Sequence, residues 1–361
     1  AAAMAPRPAA AGRRRPSAAL ARVLRAPVGG GPSKAAKSSS SAGPGRARAS
    51  RVCCPCTRSR LSARTGGKGA PEVEFGGRTW PSWRLRAASW LKAREVLRKE
   101  GLVVLRGLVP QKQVRTARKC LLDVLRDGGS LDAGARLDDA RVAADVASGS
   151  VEPPSLLRRL DVQGLPEVLA VLEHPRLFYA AEQLLGAERA ETTAYKWLRA
   201  VPPGKFTGPH MDRAYVGAGA RLTAWIPLGA VAPGRGGSGA LCWVPRSHAD
   251  ARVVASYADY RRAGADGERS GWLAPDPAEL QLPPGCTWRT ASFAMGDVAV
   301  FGMDLLHTTV PNDSDSFRLS CDTRWQPVGA PPGEVNVGPW RQQGPGSMPR
   351  GRTGDARAGA K

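Results

Sequence analysis

Two histidines and an aspartate offer the clearest chemistry in this sequence. His210 and Asp212 stand two residues apart in the segment 208–212. Residues two apart on an extended segment point to the same face, so an imidazole nitrogen and a carboxylate oxygen can meet at one point. His307 ends the apolar run 298–306 and supplies a second imidazole. Two histidines and one carboxylate with open positions form the ligand set of non-haem Fe(II) sites.

A run of alternating charges after His307 predicts an anion site beside the metal. Residues 311–316 are rich in turn formers, so a new strand is expected to begin near Phe317. One face of that strand carries Arg318, Ser320, Asp322 and Arg324. An arginine offers a planar fork of donors that suits a carboxylate. We therefore expect Arg318 to hold a carboxylate about one co-substrate length from the metal.

The sequence around these residues resembles the phytanoyl-CoA dioxygenases, a family of Fe(II)- and 2-oxoglutarate-dependent oxygenases. The resemblance spans roughly residues 90–328 and is strongest over 195–326. Its motifs are WLRAVPPG at 197–204, GPHMD at 208–212, VPRSH at 244–248, GDV at 296–298, and the spacing of eleven residues from His307 to Arg318. One departure is Arg246, where the family commonly has glycine, and this departure concerns the shape of a loop rather than chemistry.

The resemblance implies a mainly β fold with flanking helices, a double-stranded β-helix of the jelly-roll or cupin-like type. It implies Fe(II) as the metal, with 2-oxoglutarate and O2 as co-substrates. The implied metal ligands, which are also the catalytic residues, are His210, Asp212 and His307. The residues implied around 2-oxoglutarate are Arg318, Thr309, Ser320 and Lys196. Such an enzyme hydroxylates or otherwise oxidises a small organic molecule and releases succinate and CO2.

Alternatives remain open for the function and for individual residues. A non-catalytic β-helix that binds or assembles would be favoured by loss of any predicted metal ligand or of Arg318, and all are present. His248 is a rival third ligand, although its place after the turn 245–247 favours local hydrogen bonding. Lys196 is equally well explained as a solvated lysine. Asp212 favours hydroxylation, because a small residue in its place would open a position for halide.

The net charge of +22 is concentrated in one segment. Residues 1–71 contain 15 Lys and Arg and no acidic residue, which leaves 38 basic against 31 acidic residues in 72–361. The foldable part therefore lacks the strong basicity of a nucleic-acid binder, and no nucleic-acid partner is expected. No apolar run reaches the roughly 18 residues of a membrane span. The expected partner is a small-molecule substrate.

The segment 1–71 has the composition of an organelle transit peptide, rich in Ala, Arg, Ser, Pro and Gly. We expect a chloroplast destination, with the mitochondrion as the alternative. A disordered basic arm that binds polyanions is the alternative to targeting. The clustered Cys53, Cys54 and Cys56 lie in this segment and lack a second ligand pair at zinc spacing.

One domain is expected over 72–340, followed by a disordered tail over 341–361. Helical spacing of apolar residues predicts a helix that ends at Gly101 and a second helix that Pro110 opens. The strands that should position the site are expected over 102–105, 191–201, 204–212, 221–228 and 298–307. Aromatic residues of the insert 249–290, together with Arg213, Tyr215 and Trp225, predict contacts with an apolar or ring-bearing substrate.

Overall fold

Two β-sheets form the walls of the fold, and helices cover the outer side of the larger sheet. The computed structural model describes residues 72–74, 87–256, 272–331 and 339–343. The segment predicted as a transit peptide, its cysteine cluster and the end of the predicted tail lie outside these residues. Among the described helices, none has the length and apolar character needed to cross a bilayer.

The described strands are numbered in chain order. The larger sheet contains β1 (Glu72–Glu74), β2 (Leu102–Arg106), β3 (Ala190–Thr193), β4 (Trp197–Val201), β5 (Leu222–Pro227), β8 (Val298–Gly302), β10 (Arg318–Pro327) and β11 (Trp340–Gln342). The smaller sheet contains β6 (Leu241–Trp243), β7 (Arg289–Thr290) and β9 (His307–Thr309). Apart from the parallel pair β1 and β2, the strand pairs are antiparallel.

The described helices lie mostly before the metal-binding motif. They are α1 (Ala87–Glu100), α2 (Gln111–Asp127), α3 (Ala144–Ala147), α4 (Leu160–Gln163), α5 (Pro166–Leu172), α6 (Pro175–Leu185), α7 (Arg213–Val216) and α8 (Ala251–Ser256). Single 3-10 turns occur at Leu137–Asp139, Leu156–Arg158, Ser247–Ala249 and Pro277–Glu279. The buried faces of the long helices pack on one side of the larger sheet and form the main hydrophobic core.

Strand β10 is the centre of the larger sheet, because β5, β4 and β3 all pair with it. Its period of two divides it into an apolar and a polar face, as the sequence predicted. Leu319, Cys321 and Trp325 join the core beneath the helices. Arg318 and Arg324 point to the other side, between the two sheets. This arrangement is the double-stranded β-helix with flanking helices that was expected.

The predicted elements from α1 to α2 are confirmed. Helix α1 ends at Glu100, and Gly101 follows with a φ of 87° while its N–H bonds to the carbonyl oxygen of Leu97. Helix α2 begins directly after Pro110, whose missing N–H costs nothing at that position. The buried stripe of α2 comprises Val114, Ala117, Leu121, Leu122 and Leu125. Strand β2 extends one residue beyond the predicted end.

Three predicted strands were wrong in their continuity. The strand expected over 191–201 is broken into β3 and β4, with residues 194–196 between them. The apolar run 298–307 breaks after Gly302, so that His307 belongs to the other sheet. Neither break leaves a signal in hydrophobic periodicity, because the four strands that result are only three to five residues long.

The segment 204–212 is not a continuous strand either. His210 forms only an isolated bridge with His307, and Asp212 has helical dihedrals at the start of α7. The cause is local, because the Asp212 carbonyl oxygen already accepts hydrogen bonds from Tyr215 and Val216. At the other end of the chain, β11 includes Arg341 and Gln342, which the sequence had assigned to the tail.

The departure at Arg246 affects loop shape, as expected. Arg246 has a φ of 66°, in the left-handed region that glycine adopts most readily. Its guanidinium pairs with Glu100 at 3.0 Å, and its backbone N–H bonds to the carbonyl oxygen of the same residue. These contacts to the end of α1 offset the cost of the backbone conformation.

Replacing Gly101 with alanine tests the junction between α1 and β2. A Cβ there would stand 2.5 Å from His248 Nδ1 and 2.7 Å from Leu305 Cδ1, in addition to the strain of positive φ. We expect Gly101→Ala to lower the free energy of unfolding by about 3 kcal/mol. Gly129→Ala is the matched control, since its φ is 67° and a Cβ meets nothing within 4 Å, so a loss of only about 1 kcal/mol is expected. Equal losses in urea denaturation would contradict the packing argument.

Candidate active site

The three predicted metal ligands converge in the space between the two sheets. His210, Asp212 and His307 are buried, and one ligand atom from each lies within 4.8 Å of the others. A pair of backbone hydrogen bonds between His210 and His307, at 2.9 and 3.0 Å, fixes the two histidines side by side. Their ring centroids are 4.1 Å apart. Residues nearly one hundred positions apart therefore form one compact site.

Both histidines present the same nitrogen to the centre of the site. His210 Nδ1 lies 2.8 Å from the carbonyl oxygen of Gly208, and His307 Nδ1 lies 2.9 Å from that of Leu305. A carbonyl oxygen only accepts, so each Nδ1 must carry the proton and donate it. In the neutral imidazole the lone pair is then on Nε2. Such a bond from the distal ring nitrogen fixes the tautomer and the orientation of a metal-binding histidine.

The two oxygens of the Asp212 carboxylate have different partners. Oδ2 accepts hydrogen bonds from the Thr223 hydroxyl and from Arg324 Nη2, the second at 3.1 Å. Oδ1 lies 3.6 Å from His210 Nε2 and 3.9 Å from His307 Nε2. The protein therefore holds one oxygen and turns the other toward the imidazoles, which suits a carboxylate ligand that binds through one oxygen.

The protonation states of these groups favour a divalent cation. Burial lowers the pKa of His307 to about 3, and the neighbouring His210 adds to the effect. Burial by itself would raise the pKa of Asp212, but Arg324 and the two histidines outweigh it and hold that pKa well below its usual range. Near neutral pH, His307 is thus a neutral imidazole and Asp212 a carboxylate, which are the forms that bind metals.

Arg318 is fully buried and uses only part of its guanidinium within the protein. Nη1 donates to the carbonyl oxygen of Gly239 at 2.7 Å. Nε and Nη2 are buried and have no hydrogen-bond partner among the described residues. Burial lowers the pKa of Arg318 to about 9, so the side chain is still charged at neutral pH. Buried donors are normally satisfied, and this edge of the guanidinium matches the two oxygens of a carboxylate.

The two predicted hydroxyl residues differ in position. Thr309 lines the same pocket as the metal ligands and Arg318, and its Oγ1 accepts from the backbone N–H of Thr207 at 2.9 Å. Ser320 lies on the same face of β10 as Arg318. Its hydroxyl is buried without a hydrogen-bond partner in the described part of the chain.

Lys196 does not lie in the pocket, and its predicted place beside 2-oxoglutarate was wrong. Its Nζ is buried on the opposite face of β10, where it donates to the carbonyl oxygen of Thr193 at 2.6 Å and to the Thr323 hydroxyl at 3.2 Å. It also pairs with Glu173 at 3.0 Å. Burial lowers the pKa of Lys196 to about 8. Leu198, two residues further along, pairs with Cys321 on the core side of β10, and Lys196 lies on that side as well, so it is neither a pocket residue nor solvated.

His248 is explained by local hydrogen bonding, as its turn position favoured. Its Nε2 lies 3.0 Å from the carbonyl oxygen of Arg98, in the last turn of α1. It does not belong to the group of potential ligands at His210, Asp212 and His307. Its role is to join the loop 245–250 to the end of that helix.

Around Asp212, the sequence alone did not reveal a network of buried charges. Arg324 donates to Asp322 at 2.6 Å as well as to Asp212, and its guanidinium stacks 4.2 Å from the ring of Trp197. Asp322 also pairs with Arg199 at 3.2 Å. The alternation of β4 could have placed Trp197 and Arg199 on one face, but only its register with β10 shows which face that is.

The residues predicted to contact substrate are only partly assembled around the site. Trp225 lines the pocket. Tyr215 places its ring against His210, with centroids 5.6 Å apart. Trp272, from the insert, stacks on Phe206 with centroids 5.7 Å apart beside the metal-binding segment. Arg213 instead pairs with Asp304 at 3.0 Å.

The fold and the site define a non-haem metal enzyme with two histidines and one carboxylate inside a double-stranded β-helix. A family model described as phytanoyl-CoA dioxygenase matches residues 97–320, more than half of the chain. The chain belongs to the phytanoyl-CoA dioxygenase family. It is therefore an Fe(II)- and 2-oxoglutarate-dependent oxygenase, and the non-catalytic alternative is not favoured.

Curated relatives and solved structures were also found. The chain is 28% identical over 254 residues to 1-deoxypentalenic acid 11-beta-hydroxylase of Streptomyces exfoliatus, covering 66% of this chain and 82% of that protein. It is 27% identical over 252 residues to the enzyme of the same name from Streptomyces arenae, with the same coverage. It aligns with the non-haem alpha-ketoglutarate-dependent carbocyclase SnoK from nogalamycin biosynthesis at a TM-score of 0.45 and 19% identity, covering 70% and 95% of the two chains. With iron-bound EctD of S. alaskensis, the TM-score is 0.44 and the identity 16%, over 76% and 84%.

Removing the Thr223 hydroxyl tests whether its hydrogen bond to Asp212 contributes to metal affinity. Thr223→Val keeps the shape of the side chain but removes one of the two donors to Oδ2. We expect the affinity for Fe(II), measured by anaerobic titration, to fall about tenfold. Thr116→Val is the control, because that hydroxyl is exposed on α2 and bonds only within its helix. Unchanged Fe(II) affinity in Thr223→Val would show that the hydrogen bond does not orient the ligand.

Proposed function

We propose that His210, Asp212 and His307 bind the iron and that Arg318 binds the distal carboxylate of 2-oxoglutarate. The observation that supports this most directly is the guanidinium of Arg318, which is buried with Nε and Nη2 unpaired in the same pocket as the three ligands. Thr309 assists from the pocket wall. Ser320 assists from the polar face of β10. Lys196 is left out of this site.

The reaction is the hydroxylation of an unactivated C–H bond in a small organic molecule. One oxygen atom of O2 enters the product and the other enters succinate, while 2-oxoglutarate loses CO2. When bound, iron and 2-oxoglutarate would activate O2, which is the oxidant; decarboxylation of 2-oxoglutarate would supply two of the four electrons that O2 takes up, and the C–H bond the other two. Retention of Asp212 supports hydroxylation, because a carboxylate occupies the position that a halide would need. The two Streptomyces relatives are named as hydroxylases, which also supports this outcome.

The side chains of the pocket have three tasks. The histidines and Asp212 present one nitrogen or oxygen each to a common point. Arg318 fixes the direction of the co-substrate through two parallel hydrogen bonds. Leu241, Trp225 and Phe301 form apolar walls that exclude water from the reacting centre. The substrate accordingly has an apolar body.

Variants of Asp212 and Arg318 test these assignments by a signal that needs no turnover. Anaerobic titration of the chain with Fe(II) and 2-oxoglutarate should give a weak visible charge-transfer band. We expect Asp212→Ala to lose the band, and Arg318→Ala to need roughly 10- to 100-fold more 2-oxoglutarate, because a charged hydrogen-bonding partner is lost.

Lys196→Met is the control for this titration, since it also removes a buried cation, but from the opposite face of β10. It should leave the requirement for 2-oxoglutarate unchanged. Absence of any band in the wild-type chain, with no iron retained, would reject the proposed site. If Lys196→Met needed as much additional 2-oxoglutarate as Arg318→Ala, Lys196 would belong to the 2-oxoglutarate site.

The segment 1–71 targets the protein to the chloroplast, with the mitochondrion as the alternative destination. Its composition supports this, since it has 15 basic and no acidic residues. A fusion of residues 1–71 to a fluorescent protein should overlap with chlorophyll in plant cells. Replacing Arg13, Arg14 and Arg15 by glutamate should leave the fusion in the cytosol. A wild-type fusion that stays in the cytosol would contradict targeting, and overlap with a mitochondrial dye would favour the alternative.

A further inference from the structure

Arg199 differs from the other charged residues that line the pocket. Asp212, Asp322, Arg318 and Arg324 are almost completely buried, whereas 21% of the Arg199 side chain is exposed. Its Nε donates to Asp322 at 3.2 Å. Within the described part of the chain, its two Nη atoms have no hydrogen-bond partner. A cation on the wall of the active-site pocket therefore presents free donors.

The charges of the pocket do not balance without a further anion. The pocket is lined by three arginines and two aspartates, namely Arg199, Arg318, Arg324, Asp212 and Asp322. This leaves one positive charge in excess. Fe(II) and the 2-oxoglutarate dianion cancel each other, so the excess persists when both are bound. Low-dielectric surroundings make an uncompensated charge costly.

The positive charge of Arg199 also disfavours the charged form of Arg318, the residue proposed to bind 2-oxoglutarate. After burial, the charge of Arg199 is the next cause that lowers the pKa of Arg318. Two guanidinium groups in one pocket repel each other unless an anion lies near each of them. The distal carboxylate of 2-oxoglutarate serves Arg318 alone, whereas Arg199 shares its carboxylate partner, Asp322, with Arg324.

Arg199 lies where a substrate can meet it. Strand β4 pairs with β10 and with no other described strand, so Arg199 is at the margin of the sheet. Its register partner is Ser320, which places it on the same face of the sheet as Arg318 and Asp322. Nε is committed to Asp322, which aligns the guanidinium and leaves both Nη atoms for a ligand.

We propose that Arg199 binds a carboxylate of the substrate, so that the substrates of this enzyme are small organic acids with one negative charge. A single carboxylate balances the excess charge, and its planar oxygens match the parallel N–H groups of a guanidinium. The inference rests on the proposed function, since it assigns the substrate class of that same site. Arg199 would hold the acid group while the apolar body of the substrate lies toward the metal.

The test compares an acid with its neutral analogue. The full chain is loaded anaerobically with Fe(II) and saturating 2-oxoglutarate, and is titrated calorimetrically with cyclohexanecarboxylate and with cyclohexanecarboxamide. We expect the wild type to bind the acid at least about tenfold more tightly than the amide, as for a charge-assisted pair. Arg199→Gln should lose this preference. Arg199→Lys should keep part of it, because lysine retains the charge but not the planar fork.

Two controls separate this role from others. Arg115→Gln removes an exposed arginine of α2 that lies outside the pocket, and it should keep the full preference for the acid. The affinity for 2-oxoglutarate should stay within about twofold of wild type in Arg199→Gln and fall in Arg318→Gln.

Equal binding of acid and amide by the wild type would overturn the proposal, as would a preference that survives in Arg199→Gln. A loss of 2-oxoglutarate affinity in Arg199→Gln equal to that in Arg318→Gln would assign Arg199 to the co-substrate instead. Failure of the proposed function is distinguishable, because the visible band with iron and 2-oxoglutarate would then be absent before any acid is added.

Discussion

The buried ion pair between Asp212 and Arg324 is the interaction on which the rest of the site depends. A carboxylate that is 1% exposed is stable only if its charge is matched and its oxygens are hydrogen-bonded. Arg324 matches the charge, and the Thr223 hydroxyl shares Oδ2 with it. Because Oδ2 is occupied, Oδ1 is the oxygen that faces the two imidazoles. The same contacts that make burial possible therefore decide how the ligand is presented.

Arg324 is itself a buried charge and needs more than one partner. Its further partners extend the network beyond Asp212. Its guanidinium is also buried and is supported by Asp322 at 2.6 Å and by the ring of Trp197. Asp322 in turn pairs with Arg199 at the margin of the pocket. A chain of alternating charges thus runs from Asp212 to Arg199, which is partly exposed. This continuity gives the acid-binding role that we propose for Arg199 a physical link to Asp212.

Strand β10 is what holds these parts in register. One face packs under the helices through Leu319, Cys321 and Trp325, and this apolar contact fixes the strand. The other face then presents Arg318 to the pocket and Arg324 to Asp212. A shift of one residue would exchange the two faces and bury the arginines beneath the helices, so the apolar core also specifies the active site.

The sequence by itself singled out the three residues that converge in the pocket, the arginine that is buried there with unpaired donors and the two faces of β10, because these depend on residue type and on a period of two. It did not determine the breaks at 194–196 and after Gly302, or the helical start at Asp212. Each of those follows from partners that are distant in the chain or from a locally satisfied backbone. Lys196 shows the limit most directly, because the family resemblance placed it beside 2-oxoglutarate, whereas Glu173 and Thr323 hold it on the other side of β10. Only the tertiary structure decided which charged side chains pair. Buried partners are the groups that lie close together in space, and their spacing in the sequence does not show this.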